Sequence, residues 1–285
     1  VGVPYDGAVT YRAGASSGPS GIRQASDSIE TYCPKLDMDL ADAVYVDFGD
    51  VNVSNAPPGG EALCRHVRAQ IDRLPPMPIV AMGGDHLIAY PFIMRTLERH
   101  PDLQILHIDA HTDLRASWEG EPFNHATVMG RVLDALPQRA NLYQWGIRSG
   151  LRAEFRVLAE HPRVERIPNT FAAGLTLVDR LVHTSRPVYV TLDADGIDPS
   201  EIPGTGTPEP GGLRFGEVED VIVALTLNAR RFGVRVVGAD LVEVAPSLDP
   251  SGISAVAGAR LVRTLLLALA ATNGSDAVPL HDTSP

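Results

Sequence analysis

Residues 103–115, LQILHIDAHTDLR, form an apolar run that breaks off in Asp109, His111 and Asp113. An extended chain sends alternate side chains to the same side, so these three polar residues can converge on one point just past a strand. Two carboxylates and an imidazole in one pocket are costly unless a cation joins them, and a divalent metal turns the same cluster into a binding site. Taken alone, the stretch also fits a polar loop capping a helix, with Asp109 as N-cap. Two further stretches repeat its grammar. Residues 188–199, VYVTLDADGIDP, are a β-branched apolar run followed by Asp193 and Asp195. Residues 78–87, PIVAMGGDHL, read as a strand broken at Gly83 and Gly84 ahead of Asp85 and His86. Three strand ends each deliver acids or histidines.

Together these ends offer His86, Asp109, His111, Asp113, Asp193 and Asp195, more ligands than one ion needs from a protein that must leave a position open. A two-metal site is expected, with Asp109 and Asp193 as bridging candidates. Oxygen-rich ligation with two imidazoles and no thiolate favours two Mn²⁺ per subunit over Zn²⁺ or Cu²⁺.

Strand-like and helix-like segments alternate along the rest of the chain. Strands are expected at 1–3, 41–50, 79–82, 103–109, 141–148, 164–167, 188–193 and within 234–246. Helices are expected near 21–29, 60–73, 88–100, 126–136, 151–160, 175–183, 215–228 and 255–269. That alternation specifies a mostly parallel sheet with helices on both faces, with ligands beyond the carboxyl ends of the strands. The 285 residues are 44% hydrophobic and carry no Pro/Gly/Ser-rich linker or repeat, so residues 1–285 read as a single α/β domain.

Cys33 and Cys64 are too few for a disulfide framework, which makes the cytoplasm the default compartment. The most apolar run, 265–271, is too short to cross a bilayer, and no membrane role is indicated. A formal charge of −11 argues against nucleic acid as a partner and mildly favours cationic ligands. The chain opens at Val1 inside an apparent strand, which leaves room for an upstream segment. Residues 4–19 read as a long loop in which Asp6 and Tyr11 either line a pocket mouth or satisfy loop backbone. His66 reads as surface or packing. Residues 114–124, with Trp118, Glu119 and Glu121, suggest an ordered loop above the metals, and His125 follows at a helix start. Glu243, inside the apolar run 234–246, is costly to bury without a cationic partner.

The motifs GGDHL at 83–87, DAHTD at 109–113 and TLDADGIDPSEIPGTGTPEPGG at 191–212 closely resemble the signatures of the ureohydrolases, the arginase and agmatinase family. The resemblance runs from GVPYDGAVTYRAGASSGP near the start to DLVEVAPSLDPSG near the end. It implies a three-layer α/β/α, arginase-like fold with an eight-stranded sheet. It also implies one metal on His86, Asp109, Asp113 and Asp193 and a second on Asp109, His111, Asp193 and Asp195. Glu243 would pair with a guanidinium, Thr207 would place a hydroxyl over it, Asp113 would pass a proton to the leaving amine, and His125 would exchange protons with solvent. The products would be urea and an amine. Trimers or hexamers are the family's expected homo-oligomers.

Within that family, the Ser/Asn-rich segment that grips an amino acid's α-carboxylate is absent between Asp113 and His125, which disfavours arginase. Agmatine is expected ahead of guanidino acids, with Glu119 and Glu121 favouring a distal ammonium. Arg115 and Arg148 are the counterweight, since either could receive a carboxylate tail and make this a guanidino-acid hydrolase. Leu87 stands where serine is usual and Ala126 where glycine is frequent. A non-catalytic metal-binding homologue would be signalled by a missing ligand or a missing Glu243, and neither is missing. Amide deacetylation on a similar fold does not call for the DAHTD and DADGIDP pairing.

Overall fold

A computed structural model describes residues 1–274. Its strands are β1 (Gly2–Val3), β2 (Tyr32–Cys33), β3 (Met38–Asp39), β4 (Val80–Gly83), β5 (Gln104–Ile108), β6 (Asn141–Trp145), β7 (Val164–Ile167), β8 (Val188–Asp193) and β9 (Val236–Val242). Its helices are α1 (Gly18–Ser26), α2 (Gly60–Ile71), α3 (Ala89–Arg99), α4 (Val128–Ala135), α5 (Arg152–Glu160), α6 (Phe171–His183), α7 (Phe215–Phe232) and α8 (Ile253–Asn273). Seven strands form one parallel sheet in the order β1-β4-β9-β8-β5-β6-β7.

The central strands are apolar on both faces because both faces are covered. In β5, Leu106 and Ile108 pack with Ile22 of α1, Leu177 of α6, Ile222 of α7 and Leu261 of α8. Ile105, pointing the other way, packs with Val67 of α2, Phe92 of α3, Val132 of α4 and Leu158 of α5. The result is three layers, helices on sheet on helices. α7 stops at Gly233, which takes the left-handed conformation (φ 69°) that ends many helices.

Several elements differ from the sequence expectation. The sheet of the described residues has seven strands, not eight, and residues 41–50 do not form the eighth. Only the end of that segment reaches an edge, where Gly2 N–H donates to Gly49 O and Val51 N–H to Gly2 O. A strand needs a partner along its length, and β1 offers two residues. Val44, Tyr45, Val46 and Phe48 therefore stay exposed despite their β-prone composition. The β2–β3 hairpin is too short to leave a periodic signature. α8 matches the helix expected near 255–269, running two residues further at its start and four at its end. By length and composition it could span a membrane, but 67% of its apolar window is buried, as in a core helix.

The chain order places the functional crevice. From β5 the chain moves outward to β6 and β7, whereas from β8 it moves the opposite way to β9. The carboxyl ends of β5 and β8 thus flank a topological switch point, where open α/β sheets leave room for ligands. Leu192, fully buried beside that crevice, and Val44, 71% exposed, make a contrasting pair. Leu192→Ala should cost about 2–5 kcal/mol in urea unfolding. Val44→Ser should change stability by less than about 0.5 kcal/mol, and a larger loss would show that residues 41–50 are buried after all.

Candidate active site

Four adjacent strands, β4, β9, β8 and β5, end in the same place, and each delivers acids or imidazoles there. After β4 the backbone turns so tightly at Gly84 that any Cβ would run into the Tyr5 carbonyl. Asp85 then caps the next turn by accepting from Leu87 N–H at 3.1 Å, which sets His86 at the head of a short 3-10 turn. β5 is followed by Asp109 and β8 ends on Asp193. Just past β9, Glu243 takes a left-handed φ of 60°, as does Asp113 at 54° after β5. Such conformations cost a non-glycine residue about 1–3 kcal/mol and persist only where surrounding bonds enforce them. Glu243 N–H donates to Gly84 O, and Gly130 N–H donates to Asp113 O, each at 2.9 Å.

Backbone donors also fix the carboxylates. Asp109 Oδ1 accepts from His111 N–H at 2.6 Å, Asp193 Oδ1 from Asp195 N–H at 2.8 Å, Asp195 Oδ1 from Ala110 N–H at 3.1 Å, and Glu243 Oε1 from His86 N–H at 2.9 Å. The other oxygens of the three aspartates face the imidazoles. His86 Nδ1 lies 3.1 Å from Asp109 Oδ2, 3.1 Å from Asp113 Oδ2 and 3.3 Å from Asp193 Oδ2. His111 Nδ1 lies 3.0 Å from Asp195 Oδ2 and 3.6 Å from Asp109 Oδ1. Two groups have metal-ligand spacing, His86, His107, Asp109 and Asp113 in one and Asp109, His111 and Asp195 in the other, and they share Asp109.

The electrostatics fit a cation. Burial and the charges of Asp195 and Asp109 push the Asp193 carboxyl well above its ordinary range. Burial and Asp193, Asp85 and Asp195 do the same to Glu243. Burial opposes charge on His86, yet its three carboxylate partners raise it well above an ordinary histidine. Burial opposes charge on His111 too, but Asp195 and Asp109 push it up to about 12. Nδ1 of His86 is buried with no hydrogen-bond partner, although three carboxylate oxygens surround it. This donor set suits divalent ions, which would relieve the crowding of acids and occupy that nitrogen.

A cavity of about 200 Å³ opens over the cluster, lined by His111, Asp113, His125, Thr207 and Glu243 among others. Thr207 Oγ1 donates to Asp195 Oδ2 at 3.0 Å. Burial, then the charges of His86 and His111, push His125 down to about 4, so it is neutral near neutral pH.

Glu119 and Glu121 are not brought to the cavity. They sit exposed on a turn in which Trp118 and Glu121 exchange backbone hydrogen bonds, and neither lines the cavity. The acid that does line it away from the cluster is Glu154, buried and bonded to Thr112 Oγ1, Leu114 N and Leu151 N. Arg148 is committed to the carbonyls of Gly146, Asp195, Gly196 and Glu209. Arg115 lies 4.4 Å over the Trp118 ring and 3.7 Å from Glu154. Asp6 accepts from Gly14 N–H, Tyr11 is 73% exposed, and His66 meets Asn52 O.

Sequence reasoning passed over His107, Thr191 and Asp240. His107 Nε2 is 2.8 Å from Asp109 Oδ2. Its Nδ1 meets the Gln144 amide, whose nitrogen also donates to Thr112 O, so Nδ1 accepts and the ring proton lies toward Asp109. The signal was available, since His107 stands two residues before Asp109 and Thr191 two before Asp193.

Because the raised histidines keep their protons until pH passes their folded pKa, a metal must displace those protons, and affinity should fall as pH falls. Titration calorimetry of metal-free protein with Mn²⁺, in two buffers of different ionisation enthalpy near neutral pH, should show net proton release. No release would mean that both imidazoles are already neutral.

Comparison with known proteins agrees with this geometry. The family model described as the arginase family matches residues 1–268. Agmatinase from Bacillus cereus is 39% identical over 281 residues, covering 93% of this chain and 89% of that protein. The solved agmatine ureohydrolase of Thermoplasma volcanium superposes with a TM-score of 0.79 at 29% identity, over 97% of this chain and 90% of that one. Proclavaminate amidino hydrolase from Streptomyces clavuligerus gives 0.81 at 29% identity, over 95% and 91%. The chain belongs to the arginase family and is a hydrolase of guanidino compounds.

Proposed function

We propose that this chain hydrolyses agmatine to putrescine and urea with two Mn²⁺ ions held by His86, Asp109, His111, Asp113, Asp193 and Asp195. The observation that carries the reading is Glu243, a buried carboxylate in the cavity wall directly beside two ligand groups that share Asp109. When bound, divalent cations would lower the pKa of a bound water and so supply the nucleophile that a resonance-stabilised guanidinium requires.

The chain's own residues do the rest. Glu243 pairs with the guanidinium and turns its face toward the ligand cluster. Thr207 has given its only proton to Asp195, so its oxygen is left to accept from a guanidinium N–H. Asp113 takes up the proton that the attacking water gives up and hands it to the departing amine, which leaves only once protonated. His125, neutral and at the cavity wall, then exchanges protons with solvent.

The cavity lining favours an ammonium over a carboxylate at the far end of the substrate. Arg148 is fully occupied by backbone carbonyls, and Arg115 is stacked on Trp118 beside the carboxylate of Glu154. Several relatives at 37–39% identity are agmatinases, which supports the same substrate. The buried free thiols of Cys33 and Cys64 agree with a reducing, cytoplasmic setting.

Asp109→Asn weakens the shared ligand and should remove most activity together with at least one ion, read by metal analysis. A single ion in fully active unaltered enzyme would end the two-metal reading. Glu243→Gln keeps an oxygen for His86 N–H, so the metals should stay. Losing one partner of a desolvated ion pair costs about 3–5 kcal/mol, which lowers kcat/KM by roughly two or more orders of magnitude. Near-normal kcat/KM would make Glu243 structural. In a urea-release assay over a panel of guanidino compounds, agmatine should rank above arginine and 4-guanidinobutanoate. The reverse order would overturn the substrate and leave the reaction class standing.

A further inference from the structure

Beneath the ligand cluster, two residues before Asp109 and Asp193 and three before Glu243, lies a row of buried polar side chains in the sheet. His107 of β5, Thr191 of β8 and Asp240 of β9 are register neighbours, and all three are fully buried. We propose that Thr191 and Asp240 are positioning residues that hold His86 in the tautomer and ring orientation that a metal ligand needs. The inference rests on the two-ion reading of the site.

Counting protons carries the argument. His86 Nε2 is 3.0 Å from Thr191 Oγ1, which is 2.7 Å from Asp240 Oδ1. Tyr189 O–H donates to Asp240 Oδ2 at 2.8 Å. An ionised carboxylate only accepts, and a threonine hydroxyl has one proton to give. Thr191 therefore donates to Asp240 and must accept from His86, which puts the ring proton on Nε2. Nδ1, which faces Asp109, Asp113 and Asp193, is then the nitrogen left to bind an ion once its proton is displaced. A metal-binding histidine ordinarily has its far N–H held by a carboxylate, carbonyl or water, which fixes the ring and raises its basicity. Here a hydroxyl relays that hold from a carboxylate on the neighbouring strand.

The two ligand groups are unequal in this respect. His111 has 27% of its side chain exposed, and the acid nearest its Nε2, Glu209, is 3.9 Å away. Losing the relay should thus loosen one ion and spare the other.

The test is Mn²⁺ titration of metal-stripped protein, following free Mn²⁺ by electron paramagnetic resonance, with thermal unfolding of the metal-free variants as a fold check. Thr191→Val keeps the shape and suits a strand but removes the hydroxyl. It should weaken one of the two ions by roughly ten- to a hundredfold and leave the other unchanged. Thr191→Ser should restore both affinities, and Asp240→Asn should weaken the same ion by less than Thr191→Val does. Unchanged affinities in Thr191→Val, or equal weakening of both ions, would overturn the assignment. Should Thr191→Val not fold, Asp240→Asn decides: two unchanged affinities refute the relay. If the unaltered protein takes up fewer than two ions, the two-ion reading fails instead, and the inference falls with it.

Discussion

Asp109, Asp193, Asp195 and Glu243 each have one oxygen held by a backbone N–H, and much of the surrounding structure exists to supply those four donors. Acids gathered in one buried space raise each other's pKa, and the fold tolerates them only if fixed dipoles replace the lost water. Side-chain donors would bring conformational freedom with them. Backbone donors do not, because the parallel sheet already fixes where each strand ends. The second oxygens of the three aspartates are in consequence aimed at the imidazoles before any ion arrives, which spares the site the entropy of ordering its ligands on binding.

The same economy explains where strain is stored. Asp113 and Glu243 are two of the five non-glycine residues with positive φ among the described residues, and both face the cavity. An acid of the buried cluster and an acid of the cavity wall must leave their strands at angles that regular extended backbone does not offer. Glu154 bonds Thr112 and Leu114 on either side of Asp113, so one buried carboxylate braces the bend that aims another.

How much of this the sequence reveals follows from the range of each interaction. Spacing by two flagged Asp109, His111, Asp193 and Asp195 as one group, although only Asp193 lies on a strand: Asp109 and His111 follow β5, and Asp195 sits in a 3-10 turn after β8. The tight turn at Gly84 likewise betrayed the approach to His86. Residues 41–50 have strand composition, but whether a partner edge exists is a property of the whole sheet. Glu119 and Glu121 lie in the right loop, yet the turn at Trp118–Glu121 points them to water, and no composition signals that. Arg148 looked free for a carboxylate because, apart from Gly146, its backbone partners Asp195, Gly196 and Glu209 come from residues far along the chain. His107 and Thr191 stand at the same spacing of two before Asp109 and Asp193, but their alignment with Asp240 exists only in the lateral register of three strands.

The strand order also bears on how the molecule can be made. β1 and β4 through β7 are complete by Ile167, but they form the two flanks of the sheet and not its middle. β8 and β9, from the last third of the chain, enter between β4 and β5. Until they do, β4 and β5 each present an apolar edge whose native partner has not been synthesised, a state that favours slow folding and intermolecular pairing. The arrangement leaves no half-built centre able to act, since His86 and Asp109 meet Asp193 and Glu243 only when the gap is filled. A chain truncated before β8 lacks more than Asp193, Asp195 and Glu243. It lacks the middle of its own sheet.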